Sequence, residues 1–186
     1  MLAVKTHEHE SGAMNIFNKV IMLVRDPYEA IQAEFNRQYS ANNHTGYAPE
    51  FVYNLDGGKI WRDFVYNSSS SVYTWENTYI YWYYSFLDPS TRYVIYYHDL
   101  VHNTEHELRK VLEFLKTNVT EKEMKCALKY REGSYHRTNK KIGVEIFVAK
   151  MRHDIDQIKS RVYKMLNGGM RDEDRAEILK INVPLL

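Results

Sequence analysis

The run Val20-Ile21-Met22-Leu23-Val24, closed at once by Arg25-Asp26-Pro27, leaves this chain few ways to fold. Five consecutive apolar residues with no polar alternation mark a short strand buried on both faces, as in a parallel sheet. Parallel strands need long crossovers, usually helical. Asp26 is a ready N-cap and Pro27 suits a first helical turn, so a helix starts directly where the strand stops. Ile31, Phe35 and Tyr39 share one face of that helix. The spacing predicts two further strands, one ending in Leu2-Ala3-Val4-Lys5 and one over Arg92 to Tyr97.

Helical patterns fill most of the rest. Trp75, Tyr79, Trp82, Tyr83 and Phe86 recur at helical spacing and read as the buried face of an aromatic helix. Asn103-Thr104 opens a helix with Leu108, Val111, Leu112 and Leu115 on its inner face. Thr120-Glu121-Lys122-Glu123 is a capping box for a helix through Tyr130. A last helix is predicted from about Val144 to Leu166, stopped by Asn167-Gly168-Gly169. Gly57-Gly58 is the clearest break in the polar stretch Ala41 to Lys59. Strands alternating with helices predict an α/β fold with a parallel sheet and a helical C-terminal half.

Composition narrows the function classes. The 186 residues suffice for one domain with a core, and 25 Lys+Arg against 24 Asp+Glu leave a formal net charge of +1. That balance lacks the basic footprint of a nucleic-acid-binding chain, and no Lys or Arg interleaves the aromatics between Tyr66 and Leu87. A single cysteine, Cys126, excludes an internal disulfide framework. No apolar run approaches the roughly 20 residues of a membrane span, so no membrane contact is expected from this segment. Three Asn-x-Ser/Thr sequons, at Asn43, Asn67 and Asn118, are compatible with a secretory compartment.

Five constellations are candidates for chemistry. His7-Glu8-His9-Glu10 pairs two histidines with no third metal ligand in view, and His102-Asn103-Thr104-Glu105-His106 has Asn103 where a metalloprotease helix needs its glutamate. No metal is expected. Lys5-Thr6-His7 follows an apolar strand, which suits a cation and a general base at the carboxyl end of a sheet; on spacing alone a solvated strand end is the favoured reading. Arg25, between strand end and helix start, is either an anion clamp or half of a salt bridge to Asp26 or Glu29. The loop Arg131-Glu132-Gly133-Ser134-Tyr135-His136-Arg137 is either an anion-binding lid or a solvated basic turn. No Gly-rich phosphate loop and no dinucleotide fingerprint occurs.

Lys5-Thr6-His7-Glu8, Val24-Arg25-Asp26-Pro27-Tyr28, Glu34-Phe35-Asn36-Arg37, Tyr97-His98-Asp99-Leu100 and Leu108 to Leu115 come in the order found in sulfotransferases. From about Val4 to Arg137 the chain resembles that family, and within it the WSC domain-containing sulfotransferases. The resemblance implies a P-loop-like, three-layer α/β fold, here N-terminally truncated, over residues 1–167, with 168–186 as a tail. It implies 3′-phosphoadenosine 5′-phosphosulfate as co-substrate and a hydroxyl of a glycan or related compound as acceptor. Lys5 and His7 then supply the transition-state cation and the base. Arg25 holds the donor's 3′-phosphate, Tyr97 lies near the adenine, and Arg131, Gly133, Ser134 and Arg137 close over the 3′-phosphate.

Two departures accompany the resemblance. Ala33 stands where cytosolic sulfotransferases carry a phosphate-binding serine, so that contact is absent or passes to Arg37. The strand–loop–helix that binds the 5′-phosphosulfate would precede Lys5. A full-length parent of this kind would be a Golgi membrane protein with this part in the lumen. The alternatives are a non-catalytic interaction domain of the same fold and an adenine-nucleotide sensor using Tyr97 and the Arg131 loop. Oligomeric state is left open.

Overall fold

In the computed structural model, residues 3–6, 16–40, 45–132 and 145–168 are described. Two strands, β1 (Val20–Val24) and β2 (Arg92–Tyr96), pair in parallel, with Val20 opposite Arg92 and Val24 opposite Tyr96. Between them come α1 (Pro27–Tyr39), a 3-10 turn (Glu50–Asn54), α2 (Leu55–Asn67) and α3 (Val72–Ser85). After β2 follow α4 (Tyr97–His102), α5 (Thr104–Phe114), α6 (Glu121–Lys129) and α7 (Ala149–Leu166). The expected α/β architecture is present, with a parallel sheet and a helical C-terminal half.

Alternation along the strands sends side chains to two faces. Met22 and Val24 of β1, with Val94 and Tyr96 of β2, enter the main core alongside α1, α3 and α7. Beneath the other face lies α5, where Phe114 packs 5.6 Å from the Tyr93 ring and Glu107 accepts from the Tyr93 hydroxyl at 3.3 Å. Helices thus sandwich the sheet in three layers. That second cover falls under β2 and not under all of β1: Ile95 is buried, but its neighbour Leu23 is 46% exposed. The apolar run predicted cover on both faces of β1, and it obtains full cover on one.

The core is aromatic where α1 meets α2. Phe35 is fully buried and touches Tyr39, Tyr53, Trp61 and Phe64, with ring centroids 4.3 to 5.1 Å apart. Such contacts add directional preference to a large apolar burial. Chain reversal into α2 needs three consecutive left-handed residues, Asp56, Gly57 and Gly58, at φ 50°, 60° and 78°. Two of the three are glycines, the residue type without a Cβ penalty there. The aromatic segment is accordingly two helices, α2 and α3, hinged at Ser68–Ser71, with Ser71 capping α3 through the Thr74 amide.

Three expectations differ from the structure. Residues 3–6 form no strand, and Ala3, Val4 and Lys5 are exposed, because a short extended segment becomes a strand only by pairing its backbone. Tyr97 ends no strand but begins α4. The last helix starts at Ala149, since the residues before it are committed to packing: Trp61 Nε1 donates to the Ile146 carbonyl at 2.6 Å, and Phe147 packs edge-on against Tyr28 and Trp61.

Across the core, α7 inserts Met151, Ile155, Ile158, Val162 and Met165 as one buried stripe. Beside it, Arg161 reaches Glu76 of α3 at 2.9 Å, and Glu76 is 7% exposed. Burial pushes the Glu76 carboxyl above its ordinary value, with Arg161 pulling part of the way back. The folded state therefore holds that proton more tightly than the unfolded chain. Glu76 contributes stability as pH falls toward the ordinary carboxylate range and loses it as pH rises through the raised value. Urea midpoints measured from about pH 4.5 to 7.5 are expected to show wild type gaining on Glu76→Gln as pH falls. Parallel curves would remove the assignment.

Candidate functional site

The carboxyl edge of a parallel sheet is where α/β proteins place ligands. Here the register does the placing. With Val24 opposite Tyr96, the next residue on each strand, Arg25 and Tyr97, leaves the sheet side by side. The Arg25 guanidinium stands 5.0 Å from the centroid of the Tyr97 ring, within cation–π range. Both side chains are partly open to solvent, Arg25 at 40% and Tyr97 at 37%.

Among the described residues Arg25 has one ionic partner, Glu29, one turn into α1, with Nε to Oε2 at 3.4 Å. The salt-bridge reading of Arg25 is thus real, but the contact is single, long and solvated. Such pairs contribute about 0–1 kcal/mol. A dianionic ligand therefore competes easily for this guanidinium, especially if it engages both prongs of the fork. Asp26 does not pair with Arg25. Its Oδ1 accepts the Tyr28 amide at 3.0 Å, capping α1, and its Oδ2 takes Lys159 Nζ of α7 at 2.5 Å.

The backbone of Arg25 is held from α3. Trp75 Nε1 donates to the Arg25 carbonyl at 3.0 Å, and the Arg25 amide points to the Tyr79 hydroxyl at 3.4 Å. That hydroxyl in turn donates to the Leu23 carbonyl at 2.9 Å. Sequence spacing placed Trp75 and Tyr79 on a packing face, which they occupy; only the fold reveals that their polar atoms end on β1.

The other expected site residues are dispersed. Lys5 is exposed outside the sheet. His7, Gly133, Ser134 and Arg137 lie outside the described residues. Arg131 sits at the start of α5, where it donates to Thr104 Oγ1 at 3.4 Å, with Glu132 3.6 Å away. One six-residue helix, α4, separates this point from Tyr97, a rise of about 9 Å. Arg131 also lines an open cleft of about 530 Å³ with His102, Thr104, His106 and Arg109. Arg109 is committed there to Glu105 at 2.7 Å and Glu121 at 3.0 Å. Arg37 does not replace the missing serine: it is bound to Glu34, about 15 Å along α1 from Pro27. Among the described residues no group of three His, Cys, Asp or Glu could hold a metal ion.

A model of the sulfotransferase family matches residues 18–121, more than half of the chain, spanning β1, Arg25, α1, β2 and Tyr97. The chain belongs to the sulfotransferase family. It is 39% identical over 166 residues to a WSCD family member of Drosophila melanogaster and 37% identical over 166 residues to one of Aedes aegypti. Each alignment covers 89% of this chain and 50% of the relative, so the chain spans about half the length of the curated relatives it matches. No solved structure matches it. The α/β architecture with its parallel sheet accords with the P-loop-like fold expected of that family. The matched region contains Arg25 and Tyr97 and excludes Lys5, His7 and the residues from Arg131 to Arg137.

Beside the candidate site, Asp26 joins strand end, helix cap and α7. Asp26→Ala removes the cap and the Lys159 partner and is expected to cost about 1–2 kcal/mol in urea unfolding. Asp26→Asn keeps a capping oxygen and should cost less than half as much. Equal losses in the two variants would show that the ion pair, not the cap, dominates.

Proposed function

We propose that this chain takes part in moving a sulfuryl group from 3′-phosphoadenosine 5′-phosphosulfate to a hydroxyl of a glycan or related acceptor. The observation that carries the reading is the Arg25–Tyr97 pair at the carboxyl edge of the sheet, inside the part of the chain that the family model matches. A guanidinium held by one weak solvated pair suits a phosphate dianion, and a half-open aromatic ring beside it suits a purine face. Arg131, one short helix away, is the proposed further contact to the same nucleotide, with Gly133, Ser134 and Arg137 next in the sequence.

Transfer breaks the bond between sulfur and the bridging oxygen of the 5′-phosphate and forms a bond from sulfur to the acceptor oxygen. The acceptor's proton passes to a base, and adenosine 3′,5′-bisphosphate leaves. His7 is the proposed base and Lys5 the cation on the bridging oxygen, an in-line arrangement like that of phosphoryl transfer. The described residues suit the nucleoside and 3′-phosphate end of the donor. Exposed Asn67 and Asn118, each in a sequon, suit the lumenal compartment that such a glycan acceptor implies, and no helix among the described residues is long and apolar enough to cross a membrane.

Calorimetry with adenosine 3′,5′-bisphosphate and with the 5′-monophosphate tests the donor end. Wild type is expected to prefer the bisphosphate about 10- to 100-fold, the worth of a charge-assisted contact, and Arg25→Ala to lose that preference. Equal binding of the two nucleotides by wild type would refute it. One observation favours a second reading, a nucleotide-holding domain without transfer: Lys5 is exposed away from the sheet. A transfer assay with His7→Ala as control separates the two, since turnover lost in that variant supports the enzyme and absent turnover with intact binding supports the second reading.

A further inference from the structure

In a parallel ladder, a strand residue offers its N–H to the carbonyl before its partner and its C=O to the amide after it. Around Val24 these two groups are the Leu23 carbonyl and the Arg25 amide. The Tyr79 hydroxyl serves both: it donates to Leu23 O at 2.9 Å and accepts from Arg25 N at 3.4 Å. One phenol therefore makes the two bonds that an additional strand would make along β1. Trp75, one helical turn earlier, donates its indole N–H to the Arg25 carbonyl at 3.0 Å.

The two rings brace each other edge to face at 5.0 Å, and Trp75 is 9% exposed. Burial pushes the Tyr79 phenol above its ordinary value, so it stays a protonated donor across the working range. The helix that carries them is itself fixed, by the Ser71 cap at its start and by Glu76 to Arg161 of α7. The Leu23 and Arg25 carbonyls are thus tied to α3 at 2.9 and 3.0 Å, with a longer contact at the Arg25 amide, while among the described residues the guanidinium has one carboxylate partner, the solvated Glu29. Backbone tied on both sides of a side chain that keeps a single solvated ion pair is the combination that directs it at a ligand without committing it elsewhere.

We infer that Tyr79 and Trp75 are positioning residues for Arg25, acting as a surrogate strand that aims its guanidinium at the donor's 3′-phosphate. The inference rests on the donor reading above. Neither residue touches the nucleotide; each acts through the peptide groups on either side of the arginine. Tyr79→Phe keeps the ring and its packing and deletes both hydrogen bonds, so it isolates the positioning effect.

The test is the ratio of affinities for adenosine 3′,5′-bisphosphate and the 5′-monophosphate, measured by calorimetry in wild type, Tyr79→Phe, Trp75→Phe and Arg25→Ala. Global destabilisation lowers binding of both nucleotides alike and leaves the ratio unmoved, whereas misaiming Arg25 lowers it. Tyr79→Phe is expected to reduce the ratio about 3- to 10-fold with monophosphate affinity nearly unchanged, and Arg25→Ala to bring it to about 1. Faster hydrogen exchange of the Arg25 amide in Tyr79→Phe, read by NMR, accompanies the reduced ratio. A wild-type ratio retained in Tyr79→Phe while Arg25→Ala abolishes it overturns this inference alone. A wild type without any preference overturns the donor reading and the inference with it.

Discussion

Two parallel strands have no independent stability in water, and the pair at the centre of the candidate site, Arg25 and Tyr97, is placed by the way β1 and β2 pair. Their register puts Val24 against Tyr96 and hence Arg25 against Tyr97. A slip of one residue would separate the guanidinium from the ring and turn Met22 and Val24 out of the core. Burial on that face therefore guards the site geometry: the apolar side chains of one sheet face can stay buried only if the strand ends remain in line.

Helix α7 supplies much of that guard. Its apolar stripe fills the core, and polar contacts at its flanks reach back across the chain. Asp156 accepts from the Tyr28 hydroxyl at 2.8 Å, Asp154 from Tyr66 at 2.8 Å, while Lys159 holds Asp26 and Arg161 holds Glu76. The solvated ones contribute little alone. Their value is positional, because they land on α1, α2 and α3 and so hold three helices against one. Asp26, the residue after Arg25, receives one of them, which couples the stability of the fold to the shape of its candidate site.

Much of this was legible in local chemistry. The strand at Val20–Val24, the Asp26-Pro27 helix start, the strand at Arg92, the Thr120–Glu123 capping box and the break at Gly57-Gly58 are each decided by residues within a few positions. So is the α/β class, which follows from their order. The misses share a different cause. Ala3–Lys5 has strand composition but forms no strand among the described residues. Leu23 has core composition and only partial cover. Residues before Ala149 have helical composition, but Trp61 and Tyr28, far away in sequence, claim Ile146 and Phe147.

The candidate site divides along the same line. The sequence by itself determined which chemistry is available: an arginine at a strand end, an aromatic at the matching end of the next strand, and motifs ordered as in sulfotransferases. Only the tertiary structure showed how Arg25 is engaged: it pairs with Glu29, and that pair is long and solvated. It alone showed that Trp75 and Tyr79 end on the backbone of β1, that Arg131 stands one short helix from Tyr97, and that Arg37 is remote. Residue type sets what a side chain can do. Where its peptide groups are tied, and against what, depends on contacts across 50 or more residues of sequence, as between Arg25 and Trp75, which no local pattern records.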